Sequence, residues 1–441
     1  MTVSHDEGRA LQYFCSTAGP SLSRVTDRYF WTHLVMQFTS FEPAVRHSVV
    51  AISLLYQQLP HGLQQDSDTP HQSLILTNYN AAIRELKSMS TLEKQPLVLL
   101  VCVLFICIEF LQSNWTGAIQ HCKHGIMMLA SSTAENNWTR SYLVPVFRRL
   151  SLFPFFFGVG EADYPSLSAL TSPAPHRFHS FDDARYMMDD IYSQVLCFER
   201  LGDEYRIGSD KPVPTEVQDR QTFLNSLLDT WQASFIKLHA TLPKPDSSAA
   251  VRSQLTSQHF LSVRFDVCRI MANTAFESGE MCYDRYIETF KSISERLAFC
   301  IPTNSKIRDA GRPKFTFEMG FMPVLCFSVI KCRHLETRLR LWRLMPILGC
   351  PRESLWQLNM MTPVLRRVIE VEHGTRFDKS GECVNPIDLP PDDMRARHLQ
   401  ADPYLTCRAV RGRDVVGRVL EMWMPEKDGS VSLRKEFAQS L

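Results

Sequence analysis

The stretch Leu97-Val98-Leu99-Leu100-Val101-Cys102-Val103-Leu104-Phe105-Ile106-Cys107-Ile108, followed by Glu109-Phe110-Leu111, decides the fold. A membrane span needs about 20 apolar residues, and this run is shorter. A helix that is apolar on every side belongs in a protein core. Pro96 stands where a first helical turn tolerates proline, so the run is expected to be a buried helix.

Helical periodicity continues on both sides. Phe30, Trp31, Leu34, Val35 and Phe38 share one face. A helix opening near Pro43 carries Val45, Val49, Ile52, Tyr56 and Leu59, and Pro60-His61-Gly62 should stop it. Ile75, Tyr79, Ala82, Ile83, Leu86 and Met89 mark the next helix. Trp115, Ala118, Ile119, Cys122, Ile126 and Leu129 mark the one after the buried run. Short connections between such helices predict an antiparallel helical array.

Residues 1–160 are therefore expected to form an N-terminal helical lobe. Residues 161–180, with Pro165, Pro173 and Pro175, read as a Pro-rich linker, and 181–376 as a C-terminal helical lobe. Within the second lobe, helices are expected at Phe181 to Glu204, Gln218 to His239, Gln254 to Cys300, Pro323 to Trp342 and Arg352 to Glu372. The Gln218–His239 helix should bury Phe223, Leu227, Trp231, Phe235 and Leu238. Residues 377–441 read as a loop and tail, where Val415, Val419 and Met422 allow a short strand pair. The expected fold class is all-α, in two lobes, with any strand confined to that tail.

Composition narrows the function. The chain has 441 residues, enough for about two to three domains. Its 48 Lys plus Arg balance 47 Asp plus Glu, whereas a phosphate-gripping protein is usually clearly basic. Its 18 glycines are few for a fold built on Gly-rich phosphate loops. The 13 cysteines are scattered, and Cys102 and Cys107 lie inside apolar runs, so buried free thiols in a reducing compartment are expected. The opening Met1-Thr2-Val3-Ser4-His5-Asp6-Glu7 has no basic-then-apolar signal pattern, so a soluble intracellular protein is expected.

No constellation for catalysis stands out. G-x-S-x-G, Gly-Lys-Ser/Thr loops, G-x-G-x-x-G and H-E-x-x-H are all absent from the sequence. His121, Cys122 and His124 are the best metal candidates, but a tetrahedral zinc needs four ligands and no second pair is nearby, so a helix-surface role is expected. Cys326 and Cys332 read as core thiols. Phe153, Phe155, Phe156 and Phe157 read as packing, with a small-molecule pocket as the alternative. Lys331, Arg333, His334, Arg338, Arg340 and Arg343 form the most basic stretch, flanking a Leu335, Leu339, Trp342 stripe. That run is expected to be a solvated basic face, with nucleic acid or an acidic partner as the alternative. Asn80–Leu86 resembles Thr116–Cys122 at an offset of 36, which reads as shared helix-crossing chemistry rather than a repeat array.

Several segments, in order, resemble the regulatory region of fungal binuclear zinc-cluster transcription factors. They are Leu11-Gln12-Tyr13-Phe14, Phe30-Trp31, Glu42-Pro43-Ala44-Val45-Arg46-His47 and Tyr79-Asn80-Ala81-Ala82-Ile83-Arg84. Leu104–Gln112 follows, then Ala118 and Gly125, Lys331-Cys332-Arg333-His334 and Val368-Ile369-Glu370-Val371-Glu372. The resemblance implies an all-helical regulatory region, a nuclear location and control of a DNA-binding module. It supplies no catalytic residues and no cofactor. The family's DNA reader holds two zinc ions on six clustered cysteines, and no such cluster and no C-x-x-C occurs here. The expectation is a non-enzymatic regulator that acts through protein partners, either transcription machinery or a DNA-binding regulator. A homodimer and a small-molecule effector are both compatible with it. Specific DNA contact by this chain alone and membrane insertion are not expected. The alternatives are a helical-repeat scaffold or a biosynthetic-pathway enzyme.

Overall fold

The computed structural model describes residues 5–23, 29–59, 72–88, 95–131, 137–157, 177–206, 212–242, 247–302, 312–378, 381–402, 405–410, 413–426 and 430–439. The described residues are mostly helical, with a small sheet region in the C-terminal part. They group into two compact units. The first comprises Met1–Ala174, Asn304–Gly320 and Cys350–Trp356; the second comprises Pro175–Thr303, Phe321–Gly349 and Gln357–Leu441. The stop signal at 60–62 and most of the expected linker at 161–180 lie outside the described residues.

The first unit is built around the Gln95–Leu111 helix. Every residue from Leu99 to Leu111 is buried, including Glu109. The Pro43–Gln58 and Trp115–Ser131 helices pack on it. Gly125 on the latter permits a close approach, because a Cβ there would lie 2.2 Å from Phe147 Cε1. Phe153 and Phe155 are buried, the Phe110 and Phe153 rings lie 4.7 Å apart and Phe156 meets Trp356 at 5.2 Å, so these three are packing; the Phe157 side chain lies outside what is described.

Returning segments complete this core. Phe317 packs on Trp31 at 4.9 Å, and β1 (Phe315–Thr316) pairs in parallel with β2 (Arg352–Glu353). The buried Glu353 carboxylate accepts the backbone N–H groups of Cys350 (2.9 Å) and Gly320 (2.9 Å). These strands correct the expectation that strand is confined to the tail. The helix expected from Arg352 begins only at Leu358, because 352–357 supplies β2 and β3 (Trp356–Gln357). Strands of two residues carry no period, so their pairing leaves no pattern to read.

In the second unit the Phe181–Arg206, Thr215–Thr241 and Ser248–Thr274 helices pack together. Trp231 is their anchor. Its Nε1 donates to Ala184 O at 2.7 Å, and its ring stacks on Phe235 (4.4 Å) and Phe265 (5.5 Å). The buried stripe is Leu224, Leu228, Trp231, Phe235 and Leu238. Phe223 is exposed and Leu227 half-buried, so the expected stripe is off by one residue before Trp231. The region expected to be helical from Gln254 to Cys300 is so: the Ser248–Thr274 helix is followed by a 3-10 segment, Glu280–Tyr286, and the Ile287–Phe299 helix.

The tail is more than a short strand pair, and the all-α expectation is corrected there too. Strands β4 (His398–Ala401), β5 (Thr406–Val410), β6 (Arg413–Pro425) and β7 (Val431–Gln439) form an antiparallel sheet. β6 is central: β4 and β5 pair with successive halves of one edge, and β7 with the other. Leu420, Met422, Met424 and Ala438 turn inward onto Val364, Val368 and Val371 of the Leu358–Glu372 helix. This packing gives β6 and β7 a buried face, which a two-stranded ribbon lacks.

Candidate functional site

Chemistry-bearing side chains concentrate in the second unit, where the basic stretch does not behave as a solvated face. The helix expected from Pro323 to Trp342 is two helices, Met322–Lys331 and Leu335–Leu348. Cys332 and His334 between them are extended, and His334 Nδ1 lies 2.9 Å from Thr337 Oγ1 at the start of the second helix. That break turns Arg333 inward. Lys331, Arg333 and Arg338 are buried, which corrects the solvated-face expectation; Arg340 and Arg343 alone of the run are exposed.

The buried cations meet buried carboxylates. Lys331 Nζ lies 2.9 Å from Glu280 Oε1 and sits over the Tyr283 ring at 4.7 Å. Arg333 spans two acids, with Nη1 2.8 Å from Glu280 Oε2 and Nη2 3.1 Å from Glu372 Oε1. Arg338 Nε donates to Val329 O at 2.7 Å, and its Nη2 lies 2.6 Å from Glu372 Oε2. That last contact is an ion pair without hydrogen-bond alignment. The Ala396 N–H donates to Glu372 Oε1 at 2.8 Å. Beside them, Arg395 grips Asp284 bidentately at 2.8 and 2.9 Å. Burial alone would raise the Glu372 carboxyl, but Arg333, Arg338 and the Ala396 N–H outweigh it and hold it at about 2.

This arrangement clamps chain segments together. Burial pushes the neighbouring Cys332 thiol up to about 11 in spite of Arg338 and Arg333, so it stays protonated at neutral pH. Cys326 and Cys332 are core thiols. Among the charged residues of the cluster, the sequence singled out Lys331, Arg333 and Arg338, but as surface charge. Glu280, Asp284 and Arg395 escaped notice, because no spacing links 280, 333, 372 and 395. Only the inward position of the basic run beside an apolar stripe could have hinted at burial.

His373, also fully buried, extends the cluster. Its Nδ1–H donates to Ile387 O at 2.6 Å, which leaves Nε2 to take any added proton without a protein hydrogen-bond partner. Burial, then the Arg338 charge, pushes the imidazole down to about 4. An unfolded histidine titrates near 6.5, so the unfolded chain takes this proton first as pH falls. Stability is then lost between about pH 6.5 and 4, by roughly 3 kcal/mol in all. His373→Asn should flatten the denaturation midpoint against pH in that window relative to wild type. Equal slopes in the two proteins would show that His373 does not carry the effect.

A pocket of about 560 Å³ lies at the C-terminal end of the Leu358–Glu372 helix. Arg367, Arg376, Arg434 and Glu370 supply its charges, and Val371, Val384 and Met394 its apolar wall. Gly374, at φ +60, lets the chain reverse there.

The first unit holds a smaller polar cluster. Buried Glu109 accepts from Tyr79 Oη and from Asn114 Nδ2, each at 2.6 Å. His121 Nε2 stands 3.9 Å from Glu109 Oε1, and burial lowers its pKa. The cluster ties three successive helices together. His121, Cys122 and His124 do not converge: Cys122 is buried in the core, while His124 is exposed. Among the described residues no group of three or more His, Cys, Asp or Glu is placed to hold a metal ion, and no helix is long and apolar enough to cross a membrane.

Comparison with known proteins adds a regulator. Over 155 residues the chain is 26% identical to the aspercryptin biosynthesis cluster-specific transcription regulator atnN of Emericella nidulans. The match takes in 32% of this chain and 23% of that protein, so it spans less than a quarter of the relative's length. No family model matches the chain. No solved structure matches it either.

Proposed function

We propose that this chain is the regulatory part of a transcription regulator of the fungal binuclear zinc-cluster kind. It works in the nucleus through protein partners and performs no catalytic step of its own. The observation that carries this reading is the 26% identity over 155 residues with a cluster-specific transcription regulator. The thiols that burial keeps protonated, Cys102, Cys107, Cys122, Cys268 and Cys332, and the clamp-like ion network support it, because they hold a framework rather than poise a reaction. The helices of each unit form an antiparallel array that presents surfaces to partners, and a small molecule bound in the second unit biases that presentation.

Fusing the chain to an unrelated DNA-binding domain tests the role. With that domain's operator upstream of a reporter in a fungal host, output should change several-fold relative to the domain alone. Unchanged output from both an activation and a repression reporter would sink the proposal.

A second measurement concerns DNA itself. The sequence given has no six-cysteine cluster, and half of its most basic stretch is committed to buried carboxylates. Sequence readout needs an element at the base edges with cations on the phosphates around it. The purified chain should therefore enrich no motif from a randomised duplex pool at about 150 mM salt, where non-specific contacts are weak. Enrichment of a defined motif would reveal a reader among these residues.

A further inference from the structure

We infer that the pocket at the end of the Leu358–Glu372 helix binds a small amphipathic anion, a carboxylate or sulfonate carried on a compact apolar body. Its volume of about 560 Å³ falls within the range of roughly 300–1,000 Å³ that small-molecule sites occupy.

The charge accounting selects an anion. Glu370 is the carboxylate of the lining, and Glu436 shares Arg367 with it. Both are already engaged: Arg367 Nη1 reaches Glu370 Oε2 at 2.7 Å, and Arg367 Nη2 reaches Glu436 Oε2 at 2.7 Å. Arg434 Nε holds Glu436 Oε1 at 2.6 Å, and Arg366 lies 3.4 Å from Glu370 Oε1. Arg376 is different. It lines the pocket, is exposed, and has no carboxylate, carbonyl or ring partner for its side chain among the described residues. An uncommitted guanidinium is a fork shaped for a carboxylate or sulfonate.

The walls are preformed. The Thr375 N–H closes on Glu370 O at 2.9 Å, and the helix reverses at Gly374, where a side chain would be strained. Thr375 Oγ1 donates to Val384 O at 2.8 Å, and the Val384 N–H donates to Arg376 O at 3.0 Å. These bonds fix the backbone that carries Arg376 beside the apolar surface of Val371, Val384 and Met394. A ligand that is apolar at one end and anionic at the other satisfies both parts of the pocket.

This deepens the effector reading above. It rests on that reading only for the biological consequence, since binding is measured on purified protein without any reporter. The probe is 8-anilinonaphthalene-1-sulfonate, followed by fluorescence, with sodium octanoate and 1-octanol as competitors. Saturable binding should be displaced by octanoate and not by octanol. Arg376→Glu should weaken it at least tenfold with unchanged melting, Arg376→Gln should weaken it less, and Arg376→Lys should largely retain it. Equal binding by wild type, Arg376→Glu and Arg376→Gln would overturn the inference, as would octanol competing as well as octanoate. A failed reporter assay with intact anion binding would remove the regulator role and leave the site standing.

Discussion

Leu104→Asp is expected to unfold the first compact unit. Leu104 is fully buried midway along the Gln95–Leu111 helix, between Val103 and Phe105, which are also buried. Its neighbours one turn away on the helix, Leu100 and Ile108, are buried and apolar too, so a carboxylate there would enter an apolar interior. Placing an unpaired polar or charged group in an apolar interior costs several kcal/mol, against a total stability of about 5–15 kcal/mol for a typical domain. Leu104→Met is the control, since a volume-conserving exchange usually costs less than about 1.5 kcal/mol. Circular dichroism melting and fluorescence of the buried Trp31 report the outcome. A soluble Leu104→Asp protein that melts like wild type would show that this helix is not the core.

The same helix shows why much of the fold was readable from the sequence. A long run of apolar residues has one favourable fate in water, and amphipathic neighbours at helical spacing must cover it. Trp231, Phe235 and Leu238 were legible for the same reason, although the stripe's early register was not, because Phe223 and Leu227 are as apolar as Leu224 and Leu228. The strands were harder. β7 reads Val431-Ser432-Leu433-Arg434-Lys435-Glu436-Phe437-Ala438-Gln439 and buries little but Ala438, so its alternation is mostly polar. β6 alternates Leu420, Met422 and Met424 inward, but Trp423 on the opposite face masks the period. The site was least legible. Charge in a sequence signals solvent unless a partner is known, and the partners of Arg333 lie 53 residues before it and 39 after it, at Glu280 and Glu372.

That pairing sets the other large effect. Glu372→Gln is expected to destabilise the second unit by about 3–5 kcal/mol, the cost of breaking a buried ion pair from one side. Glutamine keeps the shape but strands the fully buried Arg338 guanidinium, which loses its ion partner, while Arg333 keeps Glu280 as its remaining carboxylate. The pH dependence separates this from a packing defect. The Glu372 carboxyl is held at about 2 when folded, against roughly 4.5 when unfolded. Its contribution is therefore fully present above about pH 4.5 and is lost as pH falls toward 2. This window overlaps that of His373 only near pH 4–4.5, so wild type should go on losing stability below pH 4, and Glu372→Gln should lack that lower part. Buried pairs are often replaceable by apolar groups of similar shape. Adding Arg338→Met to Glu372→Gln should therefore recover part of the loss, because the stranded charge has gone. If the double variant is instead less stable than the sum of the two single changes, Arg338 is not held chiefly by Glu372, and the clamp must be reassigned to its bond with Val329 O.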